Sequence, residues 1–185
     1  CVPREARLPD EDPRPLVSAL ALDVAAYDQR GCLSPHAILV ERGGAMSARE
    51  LARRLSEEGL RVLSSAMPRA ALSSVDGALQ VRWRGVAQSL GELFEGDGWS
   101  VSFEGEGPIR PCPLHRNVAV HEVSSVEAAL ARLAGYGAHL KALGVGGSFA
   151  LRRAIAEQLP PGTAPRVCAL GTMQLMRGTA REQAG

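Results

Sequence analysis

The segment Asp28-Gln-Arg-Gly-Cys-Leu-Ser-Pro-His36 carries the residue types best suited to covalent chemistry in this sequence. A cysteine sits among small and turn-forming residues, with Arg30 just before it and His36 just after it. A thiol on a short, exposed connection beside a cation or an imidazole loses its proton more readily, and the thiolate is the nucleophile. Gly31 lets the backbone approach a ligand closely. Backbone N–H groups next to Cys32 can face an oxyanion developing on a carbonyl under attack. These features suit Cys32 as a nucleophile, with His36 as the residue that orients or activates it. The competing reading is structural: most free cysteines are small buried hydrophobes, and a histidine at the start of a strand is often simply satisfied there.

Other chemistry-bearing residues make weaker constellations. Cys112, His115, His121 and Cys168 have the side chains of a zinc site. Only Cys112 and His115 have an acceptable ligand spacing and the others lie in strands, so no metal is expected. Gly144-Val-Gly-Gly-Ser148 lies between a strand and a helix, as a phosphate-binding loop does, but it lacks the GxGxxG pattern of a dinucleotide site. Arg53, Arg54, Arg152 and Arg153 read as solvated helix faces, with an anionic phosphate as the alternative partner.

The elements that must position Cys32 can be read on either side of it. Residues 1–15, with prolines at 3, 9, 13 and 15, read as a linker or irregular edge. Leu16, Leu20, Val24 and Tyr27 have helical spacing, and Gly31 ends that helix. The apolar run Ala37–Glu41 predicts a buried strand. Ser47 and Glu50 form a capping box before a helix carrying Leu51, Leu55 and Leu60. From 64 to 116 the pattern is weakest: Val81–Arg84 and Trp99–Phe103 alternate as strands do, and glycines at 91, 96, 98, 105 and 107 mark turns. Order returns with a strand at 118–123, a capping box at Ser124 and Glu127, and a helix with Val126, Leu130 and Leu133. A strand at 140–145, a helix with Leu151, Ile155 and Leu159, and a strand at 166–170 follow. Strands alternating with helices predict βαβ units: an α/β fold with a mostly parallel sheet and flanking helices. The expected division is 1–15, a cysteine-bearing domain at 16–176, and a polar tail at 177–185.

Bulk composition closes off several function classes. The sequence has 185 residues, 45% of them hydrophobic, which is one domain's worth and enough for a core. No stretch approaches the roughly 20 apolar residues of a membrane span. Basic and acidic residues number 21 and 20, so there is no basic field for nucleic acid. Aromatics are scarce, which argues against stacking platforms for single strands. Four widely spaced cysteines without a secretory segment suggest reduced thiols in the cytoplasm. The first residue is Cys1 rather than Met, which suggests a piece of a longer chain.

The segment Asp28–His36 followed by Ile38-Leu-Val-Glu41 resembles the catalytic-cysteine segment of the LuxC-type acyl-CoA reductases, which make fatty aldehyde and belong to the aldehyde dehydrogenase superfamily. Asn117–Val123 with its helix, Leu140–Val145 and Arg166–Gln174 resemble later stretches of that family in the same order, so the resemblance spans about residues 20–176. It implies an aldehyde-dehydrogenase-like catalytic domain. It also implies that Cys32 takes an acyl group from an acyl-CoA, or from an acyl-transferase or acyl-protein synthetase partner. NADPH or NADH then reduces that acyl-enzyme to the aldehyde. Such exchange needs a thiolate and an oxyanion site but no strong base for water. Glu122, at a strand end, is the residue expected to contact the cofactor, whose domain in this family lies mostly before the cysteine. A homo-oligomer is implied for the full-length enzyme. The rival readings are an acyl-phosphate reductase, an ordinary aldehyde dehydrogenase, and a non-catalytic α/β binding or assembly module.

Overall fold

The computed structural model describes residues 1–6 and 12–175. Residues 7–11 of the expected linker and the whole expected tail, 177–185, lie outside the described residues. Helix α1 (Arg14–Ala25) opens with proline in its first turn, where the missing N–H costs nothing. It buries Val17, Leu20, Ala21 and Val24 along one face. Helix α2 (Ala48–Arg54) starts at Ser47, whose side chain accepts from the Glu50 N–H. The return half of that box is not made, because the Glu50 carboxylate turns to Arg53 and Arg54. The chain continues through a π-helical stretch, Leu55–Leu60, into α3 (Arg61–Ala66), so that Leu51, Leu55 and Leu60 all enter the core.

Gly59 lies within the π-helical stretch, against α1. A Cβ at this position would lie 2.9 Å from the Ala21 Cβ and 3.1 Å from Val17 Cγ1, so only glycine lets α1 pack this closely.

Strand β1 (Ala37–Glu41) pairs in parallel with β4 (Asn117–Val123), β4 in parallel with β3 (Trp99–Phe103), and β3 antiparallel with β2 (Glu92–Gly96). The sheet order is β1-β4-β3-β2. Both faces are covered: Ile38 and Val40 enter one apolar cluster with α1 and the 48–66 rod, and Leu39 enters the other with α5 (Val126–Ala134). This two-sided burial is why β1 reads as an unbroken apolar run. Val2 adds a single parallel bridge to Val40 on β1's other side.

A second, two-stranded parallel sheet joins β5 (Ala142–Val145) to β6 (Arg166–Ala169) through α6 (Phe149–Glu157). The fold is therefore α/β with a mostly parallel main sheet and flanking helices. The last three strands do not form one sheet, however: β4 belongs to the larger sheet, and β5 and β6 to the smaller.

Two expectations are corrected. Val81–Arg84 is not a strand but part of α4 (Ser74–Leu90), whose inner face is Gln80, Trp83 and Ala87. The cap of α5 is Ser125 rather than Ser124: its side chain accepts from the Ala128 N–H.

Candidate active site

Helix α1 ends at Ala25, and the chain turns sharply before reaching Cys32. Tyr27, Asp28 and Gln29 have φ of 54°, 51° and 64°, three consecutive non-glycine residues in the left-handed region. Each such residue costs on the order of 1–3 kcal/mol and persists only when its surroundings impose it. What imposes it is a second left-handed run, Leu114-His115-Arg116, just before β4. The His115 N–H donates to the Asp28 carbonyl. The buried Arg116 guanidinium clasps the Asp28 carboxylate with Nε at 2.9 Å and Nη2 at 2.7 Å. The other Asp28 oxygen accepts from the Ala70 N–H.

Gln29 locks the turn to the sheet. Its side chain is wholly buried. Its Oε1 accepts from the Asn117 N–H at 3.0 Å, and its Nε2 donates to the Pro35 carbonyl at 2.6 Å and the Asn117 carbonyl at 2.9 Å. Residues 28 and 29 are thereby fixed to the entry of β4, and the segment 30–36 is strung between that anchor and β1.

Cys32 lies within a turn closed by the Ser34 N–H donating to the Gly31 carbonyl, and it is exposed. No described group accepts from the backbone N–H of Cys32 or Leu33. At Gly31 a Cβ would come within 2.8 Å of the Gln174 side-chain amide, which in turn donates to Ser34 Oγ and would have to shift. The close approach that its sequence position suggested is thus made by the Gln174 amide.

Cys32 borders a cavity of about 290 Å³ between the two sheets. That is near the lower end of the roughly 300–1,000 Å³ typical of small-molecule pockets. Leu33, Ile109, Leu133, Tyr136, Leu140 and Leu170 give it an apolar wall, and His36, Arg110 and Lys141 are among its polar members. Arg110 is held by the buried Glu104 carboxylate at 2.6 Å and stacks over Trp83.

His36 shares the cavity with Cys32, but its hydrogen-bonding contact is elsewhere. Its Nδ1 lies 3.3 Å from Cys112 Sγ, to which Gln29 Nε2 also donates. His36 keeps an exposed edge, and partial desolvation of its ring lowers its pKa below the ordinary imidazole value; burial pushes the Cys112 thiol up to about 11. Arg30 is exposed.

Glu122 is not brought to Cys32. It stands opposite Val40, near the carboxyl ends of β1 and β4, whereas Cys32 precedes the amino end of β1. Its carboxylate is engaged by Arg42 Nε at 2.5 Å.

The loop Gly144–Ser148 does not fit a dinucleotide either. Its Gly146 N–H donates to the Cys1 carbonyl, and a Cβ on Gly144 would meet the Met173 sulfur at 2.9 Å. The close approach at that glycine is filled by protein. Ser148 caps α6 by accepting from Leu151 N–H. This loop thus offers no space for a phosphate at Gly144.

Among the described residues no three His, Cys, Asp or Glu side chains gather as a metal site would require. Arg53 and Arg54 pair with Glu50, Glu57 and Glu58 on their own helix. Gln29, Asn117, Arg116, Arg110 and the Cys112–His36 contact were not legible as site features. The one available hint was Asn117, the single asparagine of the sequence, at the entry of β4.

A family model described as Acyl-CoA reductase (LuxC) matches residues 5–180. No curated protein matches the chain.

Proposed function

This chain belongs to the acyl-CoA reductase (LuxC) family, and from that premise we propose that Cys32 is the residue that accepts the acyl group. The observation that carries the reading is the placement of an exposed thiol, on a turn locked by Gln29 and Asp28, at the edge of a largely apolar cavity. The Cys32 thiolate attacks the thioester carbonyl carbon. The carbonyl electron pair moves to oxygen, and the backbone N–H groups of Cys32 and Leu33 are the donors available to that oxyanion. The oxyanion then collapses, the bond to the coenzyme sulfur breaks, and the coenzyme leaves as a thiolate. One thioester replaces another with no net oxidation, so neither water nor a strong base is consumed. The apolar wall takes the alkyl chain, at about 25 cal/mol per Å² of apolar surface removed from water.

Reduction of the acyl-enzyme to aldehyde requires two electrons from NADPH or NADH. Glu122 remains the residue of this chain proposed to contact that cofactor, and the chemistry assigned to the Cys32 cavity is the acyl transfer. We place the protein in the cytoplasm, as the cysteine-bearing catalytic part (16–176) of a homo-oligomeric reductase that receives acyl groups from an acyl-CoA or an acyl-transferase partner. Among the described residues no helix is long and apolar enough to cross a membrane.

The test is direct. The chain is incubated with a long-chain acyl-CoA, the intact mass is measured, and the modified peptide is mapped. One acyl group on Cys32 is expected, with release of one equivalent of free coenzyme thiol, and none in Cys32→Ser. A folded wild-type chain that gains no acyl mass, or that is acylated elsewhere, rules the reading out.

A further inference from the structure

The Cys112–His36 contact assigns a protonation pattern to the cavity that contains Cys32. Two segments far apart in sequence meet there: the 28–36 segment, which carries Gln29 and His36, and the loop before β4, which carries Cys112. Cys112 is buried, and its sulfur faces a donor already. Gln29 Nε2 reaches it at 3.2 Å, the longest of the three contacts that share its two hydrogens. A thiol is a weak acceptor with one proton to donate. A further donor from His36 would crowd the sulfur and leave the S–H without its nearest acceptor. The arrangement that uses every hydrogen has Cys112 S–H donating to His36 Nδ1. A neutral imidazole that accepts at Nδ1 carries its proton on Nε2.

We propose that Cys112 is a positioning residue that fixes His36 as the Nε2–H tautomer. His36 then serves the Cys32 cavity as a hydrogen-bond donor to an oxygen of the bound acyl thioester, not as a base for the thiol. The proposal rests on the acyl-transfer reading for its ligand, but the tautomer itself does not. Burial supports it at the Cys112 end, where it keeps the proton on sulfur. The assignment reverses the role that sequence proximity suggested. His36 is close to Cys32 along the chain, yet the nitrogen with a visible partner is turned to another cysteine.

The experiment uses the ¹⁵N-labelled chain above the ordinary imidazole pKa. Two-bond ¹H–¹⁵N correlations report which ring nitrogen of His36 carries the proton. The expected result is Nε2–H in the wild type, retained in Cys112→Ser, whose hydroxyl donates in the same way, and lost to a mixture in Cys112→Ala. Acylation of Cys32 by a long-chain acyl-CoA is followed in parallel. His36→Asn should slow it about tenfold, the loss of one neutral hydrogen bond. His36→Gln, whose amide N–H falls near the Nε2 position, should recover most of the rate. An Nδ1–H wild type, or a tautomer unchanged in Cys112→Ala, overturns the proposal. Equal rates in His36→Asn and His36→Gln overturn the donor role. An intact Nε2–H tautomer with no acylation of the wild type overturns the acyl-transfer reading and, with it, the ligand assigned to His36.

Discussion

Replacing Arg116 by methionine tests whether the turn before Cys32 is held by its clasp on Asp28. The pair is buried, with Arg116 2% and Asp28 8% exposed. Two guanidinium nitrogens reach Asp28 Oδ1. Methionine roughly preserves the stem but leaves the carboxylate with only the Ala70 N–H at its other oxygen. Removing one partner of a buried ion pair costs about 3–5 kcal/mol, mostly because a charge is stranded. For a domain of this size each kcal/mol corresponds to about 2–4 °C in melting temperature, so the expected loss is about 6–20 °C. Urea unfolding, followed by circular dichroism, should show a lower midpoint with an unchanged slope.

The double variant Arg116→Met/Asp28→Asn is the diagnostic step. Asparagine tolerates the left-handed conformation and keeps the acceptor for Ala70 while removing the charge. It should recover most of the lost stability, giving a coupling energy of at least about 1 kcal/mol. A single variant that loses less than about 1 kcal/mol, or a double variant whose losses simply add, refutes the clasp as the source of order in this turn.

Gly59→Ala should destabilise by about 1–3 kcal/mol through overpacking against Ala21 and Val17, and the deficit should shrink in an Ala21→Gly background; thermal melts of both variants check this. Stability should fall as pH drops from 6.5 to about 4, because burial holds the His121 pKa near 4 in the fold while the unfolded chain takes up its proton near 6.5. His121 has no hydrogen-bond partner at either ring nitrogen among the described residues, so His121→Leu should flatten that slope; an undiminished slope in the variant excludes His121 as its origin. Brief alkylation under native conditions should modify the exposed Cys32 well before the buried Cys112, and peptide mass mapping showing the opposite order would contradict the burial and the raised pKa of Cys112.

The residues on either side of Cys32 were legible because their signals are local. Helix α1 has helical spacing, β1 is a short apolar run buried on both faces, and the small residues of 31–35 mark a turn between them. The middle was misread for a physical reason. Trp83 enters the core from α4 while Val75, Leu79, Val81 and Val86 of the same helix are exposed, so its apolar pattern did not resolve into one inner face. Glycines at 77 and 85 weaken its helical propensity further. Strand β2 was missed because it is a half-buried edge strand bounded by glycines 91 and 96.

Within the site, sequence proximity paired His36 with Cys32, but the partner found is Cys112, 76 positions away. Gln29 carried no signal of its own, since an amide that joins two backbone segments looks in sequence like any other glutamine. Glu122 is a strand-end carboxylate, as its position suggests, but at the end of the sheet away from the thiol.

The bond between Asp28 and Arg116 spans 88 positions, and that separation sets when the thiol is put in place. Closing a loop of this length costs on the order of 4 kcal/mol in chain entropy. At about 5–20 residues per second, the ribosome needs roughly 4–18 seconds to make the intervening chain. Throughout that interval the 27–29 turn has nothing to hold it left-handed, and Cys32 is an ordinary cysteine on an emerging peptide. The ordered Cys32 loop is thus a late product of synthesis. A chain that stalls before Asn117 carries the thiol without the geometry that directs it.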